Sequence, residues 1–155
     1  MKYKYQTQET KMRIVLADDD EDDRFLFRKA FDELNLDATL TIYNSGDELL
    51  DYLYQTDVTA LPHIVFLDLR MICNKYNDCL KDIRLKAQLK DLTIAIYSSS
   101  NAEKDIHETF IGGANVYIHK PADFETLKKS LAEVLKINWQ YHTSGMSKET
   151  FLFSI

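Results

Sequence analysis

Five short runs of strand character alternate along the chain with five segments of helical period, and this alternation restricts the fold more than any other feature. The strand candidates are Met12–Ala17, Ala38–Tyr43, Ile64–Asp68, Thr93–Ser98 and Asn115–His119. The helical patterns follow them in turn: Glu21–Asn35, Gly46–Gln55, Asp78–Leu89, Asn101–Gly112 and Phe124–Asn138. Successive β/α units imply parallel strands joined by right-handed crossovers, with helices on both faces of one sheet. Ile14-Val15-Leu16-Ala17, Ile64-Val65-Phe66-Leu67 and Ile94-Ala95-Ile96 are unbroken apolar runs, as strands covered on both faces require. Thr39-Leu40-Thr41-Ile42 alternates, and the fifth run is short and mixed, so these two read as edges. The expectation is an α/β fold, a doubly wound five-stranded parallel sheet of order 2-1-3-4-5, with its ligand crevice where strands 1 and 3 diverge.

Local signals support the boundaries. Ser45-x-x-Glu48 and Ser100-x-x-Glu103 read as capping boxes, in which hydroxyl and carboxylate satisfy orphan amides at a helix start. Phe124, Leu127, Leu131, Val134 and Leu135 form one buried stripe of the last helix. Gly112-Gly113 ends the fourth helix, because glycine tolerates the left-handed cap. With 155 residues and 45% apolar composition, the chain fits one domain over 12–138, an N-terminal tail over 1–11 and an extension over 139–155 without an effector domain. Tyr3 and Tyr5 belong to a tail expected to be mobile, and Trp139, Tyr141, Phe151 and Phe153 are expected to fold back onto the domain.

The formal charge of -6 argues against direct nucleic-acid binding, which needs a positive surface. No apolar run approaches the roughly 18 residues of a membrane span, and Met1–Lys11 lacks a signal-peptide core. Cys73 and Cys79, six apart, fit neither CxxC nor a disulfide framework, and they read as reduced thiols of a cytoplasmic protein. His63, His107, His119 and His142 have no ligand spacing and read as structural or surface residues.

In a doubly wound sheet, chemistry sits at the carboxyl ends of the strands. Those ends carry Asp18 and Asp19 after strand 1, Asp68 closing strand 3, Ser98 closing strand 4 and Lys120 after strand 5. Each has a structural reading when taken alone. The acids from Asp18 to Asp23 complement a helix N-terminus, Asp68 can cap a turn, Ser98-Ser99-Ser100 can be a capping run, and Lys120-Pro121 can be an ordinary turn. Jointly they bring three carboxylates, a hydroxyl and an ammonium to one edge. Asp20 to Asp23 are assigned to the cap and to solvation, which leaves Asp18 and Asp19 for the crevice. Three acids in one place repel unless a hard divalent cation joins them, and Mg²⁺ is the expected ion. A metal-bound Asp beside a Lys and a hydroxyl is equipped for transient phosphorylation of the Asp itself.

Over Met12 to Asn138 the chain resembles the receiver domain of two-component response regulators. The resemblance rests on Ile14-Val15-Leu16-Ala17-Asp18-Asp19, Ile64-Val65-Phe66-Leu67-Asp68-Leu69-Arg70-Met71, Ile96-Tyr97-Ser98-Ser99 and Gly113-Ala114-Asn115-Val116-Tyr117-Ile118-His119-Lys120-Pro121. It implies a flavodoxin-like fold with Asp68 as the phosphoacceptor for a phosphohistidine of a sensor histidine kinase or histidine phosphotransfer protein. It implies Mg²⁺ held by Asp19, Asp68 and the backbone carbonyl of Arg70, with Asp18 acting through a bound water. Lys120 and Ser98 would contact the phosphoryl group, the Lys120–Pro121 bond would be cis, and Ser98 with Tyr117 would form the switch. The readout face would be helix 4, strand 5 and helix 5, a face compatible with a dimer. A stand-alone receiver of this kind would signal through a downstream protein partner.

The loop after Asp68 departs from the family pattern. Ile72 and Tyr76 stand where proline and glycine are usual, so Asn74 or Asn77 must supply a left-handed turn, or the third helix must start elsewhere. Arg70 either pairs with the acids or points into solvent. Two other readings remain open: a haloacid-dehalogenase-like phosphatase with Asp18 as nucleophile, and a receiver-like scaffold that binds partners without phosphorylation. An FMN site on the same sheet order fails on charge, because six acids follow the first strand where a phosphate cradle needs amides and hydroxyls.

Overall fold

The computed structural model describes residues 11–75 and 78–144, with residues 138–144 described by backbone alone. Five strands, β1 (Met12–Ala17), β2 (Ala38–Tyr43), β3 (Ile64–Asp68), β4 (Thr93–Ser98) and β5 (Val116–His119), alternate with α1 (Glu21–Leu34), α2 (Gly46–Gln55), α3 (Cys79–Leu85), α4 (Glu103–Ile111) and α5 (Phe124–Ser144). The sheet order is β2-β1-β3-β4-β5 and every pairing is parallel. The expected fold class and strand order are those observed.

Period-2 alternation divides the core into two layers. Val15, Ala17, Val65, Leu67, Ile94, Ile96 and Tyr117 face one way, onto Leu49, Leu50 and Leu53 of α2 and Ile83 of α3. Ile14, Leu16, Ile64, Phe66, Ala95, Tyr97 and Ile118 face the other, onto Phe27 and Phe31 of α1 and Leu127, Leu131, Val134 and Leu135 of α5. Phe27 makes edge contacts with Phe66 and Tyr97, ring centres 5.1 and 5.5 Å apart, which fix α1 over the sheet. Thus α1 and α5 share one face, which later decides where Lys120 can reach. Among the described residues, no helix is long and apolar enough to cross a membrane.

The helix ends show which local signals act. Ser45 caps α2 by accepting from the Glu48 N–H at 3.1 Å. Asn35, in the left-handed region at φ 53°, closes α1, and Gly113 at φ 105° follows α4. The box expected at Ser100 does not form. Ser100 Oγ donates to the Asp105 carboxylate and accepts from the Ala102 N–H, and α4 starts only at Glu103. The third helix is shorter than expected, since Lys86 leaves helical backbone and Ala87–Leu89 forms a 3₁₀ turn. There the Arg84 guanidinium donates to the carbonyls of Leu89, Leu92 and Gly113 and to Asn115 Oδ1, at 2.8–3.1 Å.

Two further sequence expectations are corrected. Cys73 and Cys79 are not free thiols but form a disulfide, with Cα atoms 5.6 Å apart. The chain reverses between β3 and α3, and Lys75 ties the loop to α2 through Asp47 Oδ1 and Asp51, so both sulfurs meet beside Gly46. A Cβ on Gly46 would lie 2.5 and 2.6 Å from the two sulfurs, so only glycine admits the bridge there. The second correction is that no cis peptide bond occurs among the described residues, so Lys120–Pro121 is trans. Asn74 does not adopt positive φ. Asn77, Tyr76, Tyr3, Tyr5, Phe151 and Phe153 lie outside the described residues, as do the side chains of Trp139, Tyr141 and His142.

Candidate functional site

β1 delivers Asp18 to the carboxyl edge of the sheet, where its side chain is fully buried. Asp18 Oδ1 accepts from the Asp20 N–H at 2.9 Å, an Asx turn that leads into α1, and Arg24 donates to the Asp18 carbonyl at 3.0 Å. Asp20 is the cap of α1, accepting from the Asp23 N–H at 3.1 Å. β3 delivers Asp68, also buried, whose Oδ1 accepts from the Arg70 N–H at 3.0 Å. Asp19 is exposed beside them. Asp18, Asp19 and Asp68 each offer a carboxylate oxygen, and these oxygens lie within 4.8 Å of one another.

Lys120, at the exit of β5, points its ammonium into this group. It lies 2.7 Å from Asp23 Oδ2, 3.1 Å from Asp18 Oδ2 and 3.4 Å from Asp68 Oδ2, and 5.1 Å above the Tyr97 ring. The Lys120 N–H donates to the Ser98 carbonyl at 2.6 Å, which fixes the start of the side chain. Burial works against the Lys120 charge, but the Asp23 hydrogen bond and the charges of Asp18 and Asp68 outweigh it, so its pKa moves up. Burial pushes the Asp18 carboxyl up to about 6, against the opposing effects of the Asp20 N–H and Lys120. Burial likewise raises the Tyr97 phenol.

The donor set fits a hard divalent cation. Asp18 Oδ2 is buried and has no hydrogen bond, with the Lys120 ammonium 3.1 Å away. Such an atom is costly to bury as an anion unless a cation completes its surroundings. Carboxylate oxygens from three residues, one of them open to solvent, suit an ion of the Mg²⁺ type, which keeps several waters.

The other residues singled out in the sequence fall around the same pocket. Ser98 is buried and its Oγ accepts from the Ser100 N–H at 3.0 Å. Tyr117 lies inward, 1% exposed, and its hydroxyl donates to the Ser100 carbonyl at 2.7 Å. Arg70 is exposed and directs its guanidinium toward Ser99 Oγ, 3.5 Å away, rather than toward the acids. Of the histidines, His63 Nδ1 accepts from the Arg13 N–H at 2.8 Å, a structural role.

The sequence does not single out Asp23 for the pocket, yet it makes the shortest of the contacts of the Lys120 ammonium. The signal that could have found it is topological. The first and last helices of this sheet order cover one face, so a cation leaving β5 lies beside the first turn of α1.

A family model described as the response regulator receiver domain matches residues 14–132. A probable methanogenesis regulatory protein, FilR2, of Methanothrix harundinacea is 27% identical over 123 residues, 78% of this chain and 79% of that protein. Among solved structures, response regulator RPA3017 in red light signalling of R. palustris superposes with a TM-score of 0.72 at 23% identity, over 88% of this chain and 96% of that one. The phosphorylated cyanobacterial phytochrome response regulator RcpA gives 0.69 at 24% identity, over 89% and 98%. At these identities the structural likeness speaks for the fold.

Proposed function

The chain belongs to the response regulator receiver domain family, and on that premise we propose that Asp68 accepts a phosphoryl group from a phosphohistidine. The donor is a sensor histidine kinase or a histidine phosphotransfer protein. The observation that carries this reading is the convergence, at the ends of β1, β3 and β5, of buried Asp18 and Asp68 with the Lys120 ammonium at 3.1 and 3.4 Å.

An Asp68 carboxylate oxygen attacks the phosphorus. The new O–P bond makes an acyl phosphate as the N–P bond breaks, and the imidazole leaves with its electron pair and takes up a proton. The Arg70 N–H holds Asp68 Oδ1 and so orients the carboxylate for attack. Asp19, Asp68 and the Arg70 carbonyl would hold Mg²⁺, with Asp18 acting through water, and the ion would supply charge neutralisation for the entering phosphoryl oxygens. Lys120 is close enough to Asp68 to follow the phosphoryl group with its ammonium. Ser98 Oγ already accepts from the Ser100 N–H, which leaves its own proton to donate. A pull on Ser98 reaches Tyr117 through the Ser98–Ser100 segment, because the Tyr117 hydroxyl is bound to the Ser100 carbonyl. The face of α4, β5 and α5 would then present the signal to a downstream protein, and the same face would serve a dimer.

The test is incubation with acetyl phosphate and Mg²⁺, followed by intact-mass measurement. One phosphoryl group is expected on the parent protein, and none on Asp68→Asn or in excess EDTA. Label that survives Asp68→Asn but is lost in Asp18→Asn would refute this reading and favour the dehalogenase-like nucleophile.

A further inference from the structure

Asp23 stands apart from the acids that could bind an ion. The cluster whose oxygens fall within 4.8 Å of one another contains Asp18, Asp19 and Asp68 and not Asp23. Yet Asp23 holds Lys120 more closely than either buried acid does, at 2.7 Å against 3.1 and 3.4 Å. Its place is fixed by the first turn of α1, where Asp20 caps its N–H. We propose that Asp23 is a positioning residue that draws the Lys120 ammonium toward α1 and thereby keeps Asp18 and Asp68 open to a divalent cation. This rests on the metal-dependent reading of the site given above.

The argument is one of competition. An ammonium and a divalent cation seek the same acidic pocket, where Lys120 already lies 3.1 Å from Asp18 Oδ2 and 3.4 Å from Asp68 Oδ2. The Tyr97 ring borders the ammonium at 5.1 Å, so its room for movement lies among the three carboxylates. Asp23 is the most exposed of these, with a side chain 32% accessible against 0% and 8%. It therefore pulls Lys120 outward. Without that pull, Lys120 settles between Asp18 and Asp68, and a metal ion must displace it to bind. The same arrangement leaves Lys120 within reach of a phosphoryl group on Asp68 once the ion is in place.

The test is a double-mutant cycle read by calorimetric titration of Mg²⁺ into the full chain, with thermal melts to establish that each variant is folded. Asp23→Asn is expected to weaken Mg²⁺ binding about fivefold, which is roughly 1 kcal/mol. In a Lys120→Met background, the same substitution is expected to change affinity by less than about twofold, because the competitor is gone. Lys120→Gln repeats the comparison if Lys120→Met does not fold. An equal loss in both backgrounds would overturn the proposal, since Asp23 would then act on the ion by its charge alone. An unchanged or tighter affinity in Asp23→Asn, or no Mg²⁺ binding by the parent, would overturn it as well. If the cycle behaves as expected while Asp68 takes no phosphoryl group, the phosphoacceptor reading fails and the role of Asp23 stands.

Discussion

Replacing Asp18 by Asn should stabilise the protein at neutral pH in the absence of divalent cations. Asn keeps the oxygen that accepts from the Asp20 N–H and removes a buried charge whose second oxygen has no hydrogen bond. The magnitude follows from the carboxyl's pKa of about 6 against an ordinary value of 3.8. A group whose pKa is raised by folding favours the folded state at low pH and loses that contribution as pH rises through the folded value. By pH 7 Asp18 is ionised in both states, and keeping it ionised in the fold costs roughly 3 kcal/mol at 1.36 kcal/mol per pKa unit. At pH 4 it is protonated in the fold and about half ionised in the unfolded chain, and the cost falls to roughly 0.5 kcal/mol. Chemical denaturation in EDTA should therefore show Asp18→Asn more stable than the parent by roughly 3 kcal/mol at pH 7, about 6–12 °C in Tm, with the gap closing toward pH 4. Mg²⁺ should narrow the gap from the other side, because at a hundredfold excess over Kd it stabilises the parent by about 2.7 kcal/mol. A variant no more stable than the parent at pH 7, or a gap that persists unchanged at pH 4, would refute the reasoning.

The disulfide and the third-helix anchor give two further tests. Closing a loop of about seven residues stabilises by roughly 2 kcal/mol through the unfolded chain, so reduction of Cys73–Cys79, or the paired Cys73→Ser and Cys79→Ser substitution, should lower stability by that amount. Alkylation before and after reduction, read by intact mass, should label no cysteine in the first case and two in the second. Arg84→Ala should destabilise by about 3 kcal/mol in denaturant titration, since it strips a charged donor from three loop carbonyls and from Asn115.

What the sequence made legible is what is written locally. The sheet order could be read because central strands must be apolar on both faces, as Ile64-Val65-Phe66-Leu67 is, while an edge such as β2 alternates. Asp18, Asp68, Ser98 and Lys120 could be read because each ends a strand or follows one, and parallel strands bring all such ends to one edge. The Ser100 box failed because its hydroxyl and carbonyl are taken by other partners: Tyr117, 17 residues on, takes the carbonyl, and Asp105, in the first turn of α4, takes the hydroxyl proton. A capping signal holds only while no tertiary partner outbids it.

The two features that escaped reading share one cause. Asp23 enters the pocket because α1 and α5 lie on the same face of the sheet, and nothing in the acids from Asp18 to Asp23 distinguishes it from Asp20 or Asp22, which serve the helix start. The Cys73–Cys79 bridge forms because α2 presents Gly46 and, through Asp47 and Asp51, holds Lys75 in the loop after β3. Both depend on which elements become neighbours, and not on any spacing along the chain. The described part of the loop that lacks the usual proline and glycine is therefore held by anchors: one end is fixed at Asp68 through the Arg70 and Met71 amides, and the far end by the disulfide at the start of α3. A loop so held needs no left-handed residue at Asn74, and Asp68 keeps its orientation despite the unusual sequence that follows it.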